Sequence, residues 1–286
     1  MKKIIITILT CSVFFLATAF ANFNLPTDKN YPGGIAVVKL KKQDQTEPKV
    51  YYNNHRVLAR VLVQKNNNYW YAIVGIPLSA KSGTKNIIIK NNASHTYQQN
   101  FYVKSRTYPL KHITIKDKSK VTPDPELAKK IEQQAKDAQT LANTWTNVKN
   151  VSTDFIVPSK GWFSSYFGIR RIYNKTKNGR HTGLDIAAVT GTPIYAAGAG
   201  TILAVKDFVL TGNTVYINHG QGLITVYAHM NKTDVKPGEA VKQGQLLGEI
   251  GATGRVTGAH LHWEVILNGA KVNPTLFLST VNDKSS

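Results

Sequence analysis

The sequence is almost without cysteine: Cys11 is the only one in 286 residues. It lies inside an apolar stretch near the N-terminus, so a chain trimmed of that stretch has no thiol. That excludes disulfide staples, thiolate metal sites and a cysteine nucleophile. Acidic residues are scarce too, with 16 Asp and Glu against 36 Lys and Arg and a formal net charge of +20. A basic surface seeks anionic partners, but no nucleic-acid-binding motif is present, so nucleic acid is not an expected partner. Internal repeats and low-complexity tracts are also missing. Ser164 and Ser165 lack the GxSxG elbow of a serine hydrolase.

What is present begins with a leader. Lys2 and Lys3 precede an apolar run over residues 4–20, and Ala19-Phe20-Ala21 has the small-x-small pattern that signal peptidase accepts. Residues 1–21 are expected to be a cleaved signal peptide, with a retained membrane anchor as the competing reading, and the protein to be exported to the periplasm or cell envelope. Polyanions there are wall polymers, lipopolysaccharide and membrane, so an anionic envelope surface is an expected partner.

The remainder divides into three. Over residues 22–118, short alternating or β-branched runs recur at 35–40, 50–52, 57–63, 69–76, 86–90, 96–103 and 112–115. Turn signals such as Pro32-Gly33-Gly34 and Asn53-Asn54 separate them, which predicts a small β-sandwich. Its histidines, His55, His95 and His112, are isolated from one another and read as surface or strand positions. Residues 119–150 change character. Thr122 or Asp124 can cap a helix, no Gly or Pro occurs from 126 to 148, and Leu127, Ile131, Ala135, Ala138, Leu141, Ala142 and Trp145 form one apolar stripe. This predicts a linker helix reaching to about Val148. Residues 151–286 are glycine-rich with many short strand-like runs, which predicts an antiparallel β domain. The fold class is therefore mostly β.

The chemistry is concentrated in that last region. Of eight histidines in the chain, four stand in short motifs here: His181-Thr182-Gly183-Leu184-Asp185, Tyr227-Ala228-His229 and His260-Leu261-His262. His260 and His262 lie two apart on a predicted strand, so they aim to one face. Two imidazoles suit a plain core poorly, and a metal or polar site explains them better. His181 and Asp185 are nitrogen and oxygen ligands suited to zinc, with Gly183 letting the backbone bend between them. Two imidazoles and one carboxylate would leave a fourth position for water. Each motif alone is a weak signal. His219, in the turn Asn218-His219-Gly220, reads as turn structure, and Glu264 as either a support for His262 or a salt-bridge partner.

Taken in order, these motifs resemble the lysostaphin/LytM-type peptidoglycan metallopeptidases. The similarity also runs through Ser164-Ser165-Tyr166-Phe167-Gly168-Ile169-Arg170, Gly191-Thr192-Pro193, Val241-Lys242-Gln243-Gly244-Gln245, Gly251-Ala252-Thr253-Gly254, His260-Leu261-His262-Trp263-Glu264 and Val272-Asn273-Pro274. The resemblance implies one zinc ion held by His181, Asp185 and His262, with His229 and His260 as a non-ligand catalytic pair. It implies a LytM-type domain hydrolysing peptidoglycan cross-links, expected at D-alanine–meso-diaminopimelate, with stem peptides as substrate and a regulatory envelope protein as a further partner. Members lacking ligands act as amidase activators instead, and no ligand is missing here. Two roles stay open for the upstream segment: docking over the cleft to restrict it, or tethering the enzyme to the wall.

Overall fold

A computed structural model describes residues 25–41, 47–64, 67–90 and 96–279. The expected signal peptide and His95 lie outside the described residues. Among the described residues, no helix is long and apolar enough to cross a membrane.

Among the described residues, the N-terminal module holds six strands, β1 (Ile35–Lys39), β2 (Lys49–Tyr52), β3 (His55–Gln64), β4 (Asn67–Gly75), β5 (Gly83–Lys90) and β6 (Thr96–Val103). They are hydrogen-bonded in the antiparallel order β1-β4-β3-β2-β5-β6, with β3 shared between a β1-β4-β3 sheet and a β3-β2-β5-β6 sheet. Strand β3 makes the turn in this path: residues 55–57 pair with β2 and residues 58–64 with β4. Alternate residues such as Val50, Val57, Ala72, Val74, Ile87 and Ile89 meet in one apolar core, as period-2 patterning requires.

The expected seventh strand goes elsewhere. β7 (Leu110–Ile113) pairs in parallel with β9 (Arg170–Tyr173), which follows β8 (Trp162–Ser165) and pairs in turn with β10 (Lys177–Arg180). A parallel partner far along the chain carries no local turn signal, so the alternation alone could not assign it.

The linker helix α1 spans Pro125–Ala142. Asp124 caps it, its carboxylate accepting from the Leu127 amide at 2.8 Å. The helix ends six residues short of the sequence expectation, at Asn143, because Trp145 is drawn off the stripe by tertiary contacts: Gly222 beneath it and the Arg56 guanidinium 4.5 Å from its ring centre. The C-terminal half of the stripe packs, with Ala138, Leu141 and Ala142 against Phe208, Tyr216, Ile224, Val226 and Ile266, while Leu127 and Ile131 stay half-buried.

The remaining strands are β11 (Leu184–Ala187), β12 (Pro193–Tyr195), β13 (Gly200–Phe208), β14 (Gly212–Gly220), β15 (Leu223–Thr233), β16 (Ala240–Val241), β17 (Leu246–Ile250), β18 (His260–Leu267) and β19 (Ala270–Val272). Their main path is β16-β13-β14-β15-β18-β11-β8, antiparallel throughout. On β18, Leu261, Trp263, Val265 and Leu267 point into the core, which leaves His260, His262, Glu264 and Ile266 on the other face. Since α1 packs on Ile266, it shares that face with the histidines but lies further along the strand.

Two hairpin tips of this sheet lock onto the N-terminal module. Asn268 accepts from the Gly75 amide at 2.6 Å and donates to the Gly75 carbonyl at 3.1 Å. Gln221 accepts from the Ala59 amide at 3.1 Å. A Cβ on Gly75 would lie 2.6 Å from the Leu267 carbonyl, so glycine permits this approach. Ile35, Leu58 and Ile73 join the core of the C-terminal sheet.

Candidate metal centre

Strand pairing assembles the site. Asp185 on β11 lies opposite His262 on β18, and Ala187 opposite His260, so both pairs share a face. On the other side of β18, Ala228 of β15 lies opposite His262. Regular alternation would turn the next residue, His229, away. Its φ of 64° breaks the alternation and brings its ring centre within 4.8 Å of that of His260. A left-handed residue other than glycine inside a strand is strained, by about 1–3 kcal/mol. Glycine at 183 is required for a reason beyond backbone bending: a Cβ there would lie 2.9 Å from Nε2 of His262.

His181, Asp185 and His262 are buried and offer donor atoms that all lie within 4.8 Å of one another. Asp185 Oδ1 is 2.8 Å from His181 Nε2 and 2.7 Å from His262 Nδ1, and the two nitrogens are 3.1 Å apart. The outer partners decide which atoms carry protons. His181 Nδ1 donates to the Tyr166 carbonyl at 2.6 Å, which leaves Nε2 a lone pair. His262 Nε2 donates to the Glu264 carboxylate at 3.0 Å, which directs the lone pair of a neutral ring to Nδ1. Three acceptor atoms thus converge on one point, and only a cation or an added proton satisfies all three. Without a metal the proton goes to His262: burial disfavours its charge, but hydrogen bonds from its ring to Asp185 and Glu264 overcome this and raise its pKa to about 9. The residues present therefore fit a small divalent metal with nitrogen and oxygen ligands, as zinc sites have.

Each acidic group has a cationic support. Arg171 donates to Asp185 Oδ2 at 2.8 Å and to Ser165 Oγ at 2.9 Å, which leaves Oδ1 to the site. Burial opposes the charge on Asp185, but His181 and His262 hold its carboxyl well below the usual range. Glu264 accepts from Thr182 Oγ1 at 2.5 Å and from Lys271 Nζ at 2.9 Å. Although burial works against it, Lys271 and His262 keep it ionised. Ser165 has no base to activate it, since the His181 Nδ1 proton already goes to the Tyr166 carbonyl. Arg171, Thr182 and Lys271 escaped the sequence reading, because nothing in a lone basic or hydroxyl residue announces its partner across a sheet.

His229 Nδ1 donates to the Thr253 carbonyl at 2.8 Å, and His260 Nδ1 to the Gly258 carbonyl at 2.9 Å. Each ring is left with a lone pair on Nε2. Burial lowers the pKa of His229 to about 3, helped by the neighbouring histidines, and also lowers that of His260. Both are neutral at pH 7. His219 stays out of the site: its Nδ1 donates to the Ala199 carbonyl at 2.7 Å, and its Nε2 lies 2.8 Å from Thr225 Oγ1. His112 borders the same cleft of about 650 Å³ as His181, Asp185, His229, His260 and His262, although its place between Lys111 and Ile113 on β7 puts its side chain on the opposite face. No residue of α1 lines that cleft, and residues 111–115 border it instead. His55 sits at the junction of module and C-terminal sheet, beside Trp145 and Gly269.

Comparison with known proteins agrees with this geometry. Residues 179–274 match Peptidase family M23, and residues 28–106 match the Peptidase family M23 N-terminal domain. The peptidoglycan DD-endopeptidase ShyC of Vibrio cholerae is 47% identical over 112 residues, 39% of this chain and 26% of that protein. The DD-carboxypeptidase/endopeptidase Mpg of Neisseria meningitidis is 44% identical over 94 residues, 33% of this chain and 22% of that one. The match thus spans about a quarter of the length of these curated relatives. A crystal structure of a putative peptidase M23 from Pseudomonas aeruginosa matches much further. It has a TM-score of 0.72 and 34% identity, and covers 87% of this chain and 95% of that one. With both modules matched in order, and a solved relative followed over nearly its whole length, the protein belongs to peptidase family M23.

Proposed function

We propose that the protein is a zinc-dependent endopeptidase that hydrolyses peptide cross-links of peptidoglycan in the cell envelope, at the bond between D-alanine and meso-diaminopimelate. The observation that carries this reading is the convergence of three acceptor atoms, from His181, Asp185 and His262, beside two neutral histidines in one cleft. That ShyC is a peptidoglycan DD-endopeptidase and Mpg a DD-carboxypeptidase/endopeptidase supports a bond between two D-configured centres, as this one is.

His181, Asp185 and His262 would hold the ion. Bound there, zinc would supply a Lewis acid that polarises a carbonyl and acidifies water. His229 and His260 would do the proton work. Each is neutral and has an open Nε2, so either can accept a proton as the attack begins. A ring that has taken one becomes a donor, able to stabilise the developing oxyanion or hand the proton to the departing amine. Arg171 and Glu264 would keep the ligand set oriented. The basic surface would favour the anionic envelope as a place of work.

Digestion of purified diaminopimelate-type peptidoglycan, with products identified by mass, tests the reading. Cross-linked muropeptide dimers should fall to monomers, stop falling on chelation and resume with added zinc. Zinc bound without soluble products would point to a non-enzymatic wall protein. Cleavage of pentaglycine with no effect on the dimers would overturn the proposed bond.

A further inference from the structure

The small sheet β7-β9-β10 places a row of cations along one side of the cleft. Parallel pairing sets Lys111 beside Arg171 and Ile113 beside Tyr173. Arg171 points to Asp185, so Lys111 and Ile113, on the same face of neighbouring strands, point to the cleft as well, and both line it. Next along the wall is Arg255, from the loop between β17 and β18. Its guanidinium lies 4.2 Å from the centre of the Tyr173 ring.

The upstream segment also holds Arg255 in place. Arg255 donates to the Lys120 carbonyl at 3.3 Å, and Lys120 Nζ donates to the Gly254 carbonyl at 2.6 Å. Ile113, Ile115 and Val121 pack around Tyr173 beneath. Arg171 and Lys271 are paired with Asp185 and Glu264. Lys111 and Arg255 have no carboxylate partner among the described residues, although both line the cleft. Two cations left without a carboxylate beside a peptide-sized cleft are ready to receive an anion, and a guanidinium held over a ring can offer its fork to a carboxylate.

We propose that Lys111 and Arg255 form a carboxylate-binding subsite that selects cross-links bearing a free carboxylate next to the scissile amide. The inference rests on the proposed peptidase reading and refines its substrate class. A diaminopimelate cross-link has such a carboxylate on the carbon that carries the acylated nitrogen. A glycine bridge has only uncharged backbone there. The upstream segment then has a role other than plug or tether: it supplies one wall of the specificity pocket, through Lys111 directly and through Lys120 indirectly.

The test is steady-state cleavage by the whole protein of two soluble cross-linked peptides, identical except that the carboxylate beside the scissile amide is free in one and amidated in the other. The wild type should prefer the free acid by about tenfold in kcat/KM, mostly through KM, as expected for loss of a charge-assisted contact. The preference should fall towards unity in Lys111→Gln and in Arg255→Gln, and should reverse in Lys111→Glu. A wild type that cleaves both peptides equally overturns the subsite while leaving the peptidase reading intact. So does a preference that survives all three substitutions. Cleavage of neither peptide by the zinc-loaded wild type overturns the peptidase reading and the subsite with it.

Discussion

The N-terminal module and the C-terminal sheet are both antiparallel β structures, yet they obey the rules of strands to different degrees. Among the described residues of the module, no strand pair shows a register shift, and the core is made of alternate apolar side chains. In the C-terminal sheet, shifts interrupt β11 with β8, β12 with β17, β13 with β14, and β15 with both β14 and β17. His229 there adopts a left-handed backbone, and His181, Asp185, His262 and Glu264 are buried. The module spends its residues on packing. The C-terminal sheet departs from regular structure where side chains must converge, as functional sites commonly do.

That contrast can be broken most directly at the site. His181→Ala, Asp185→Ala and His262→Ala should each lose zinc and activity together. His229→Ala and His260→Ala should keep zinc while turnover falls by about 10²–10⁴-fold. Metal analysis of the purified variants beside their rates decides the matter. Zinc lost from His260→Ala and retained by His262→Ala would reverse the assignment.

The next largest effect probes the module. Ile89→Ala removes a fully buried side chain from its core and should cost about 2–5 kcal/mol in denaturant unfolding. Zinc affinity under folding conditions should stay the same. A parallel fall in zinc affinity would mean that the two regions are energetically one.

A smaller effect is expected at Glu264→Gln. His262 would keep a hydrogen-bond partner but lose the charge that orients it, so zinc affinity should fall by roughly 10–100-fold. Competition with a chelator of known strength measures this, and an unchanged affinity would make Glu264 a simple ion-pair partner of Lys271.

The smallest concerns His219, a buried histidine of the C-terminal sheet that serves packing, as module residues do. Burial lowers its pKa to about 4. A depressed histidine pKa contributes stability that is complete above the unfolded value near 6.5 and declines as pH falls towards 4. The stability advantage of the wild type over His219→Gln should therefore shrink between pH 7 and pH 5, by on the order of 1–2 kcal/mol. An advantage independent of pH would show that His219 is not held neutral by the core.

Much of this was legible in the residues. Alternation located the module strands, the start of α1 was narrowed to a cap at Thr122 or Asp124, of which Asp124 serves, and the His-x-His spacing put His260 and His262 on one face. Other expectations failed for physical reasons. Trp145 left the helical stripe because a pocket between Gly222 and Arg56 competes for it. The strand at Leu110–Ile113 left the module because its partner is β9, about sixty residues away in a pairing that needs no local turn. His112, read as isolated, borders the cleft for the same reason.

By itself, the sequence determined the mostly β class, the order of module, helix and C-terminal sheet, and the motifs from which a metal site can be built. These follow from local period, caps and spacing, which act between near neighbours along the chain. Only the tertiary structure decided that His181, Asp185 and His262 face one point with their outer nitrogens already bonded. It also decided that Arg171 and Lys271 neutralise the buried acids, and that Lys111, on a separate small sheet, lines the same cleft as the histidines. Such contacts join residues far apart in the chain, and their strength depends on distance and burial, which no local pattern records.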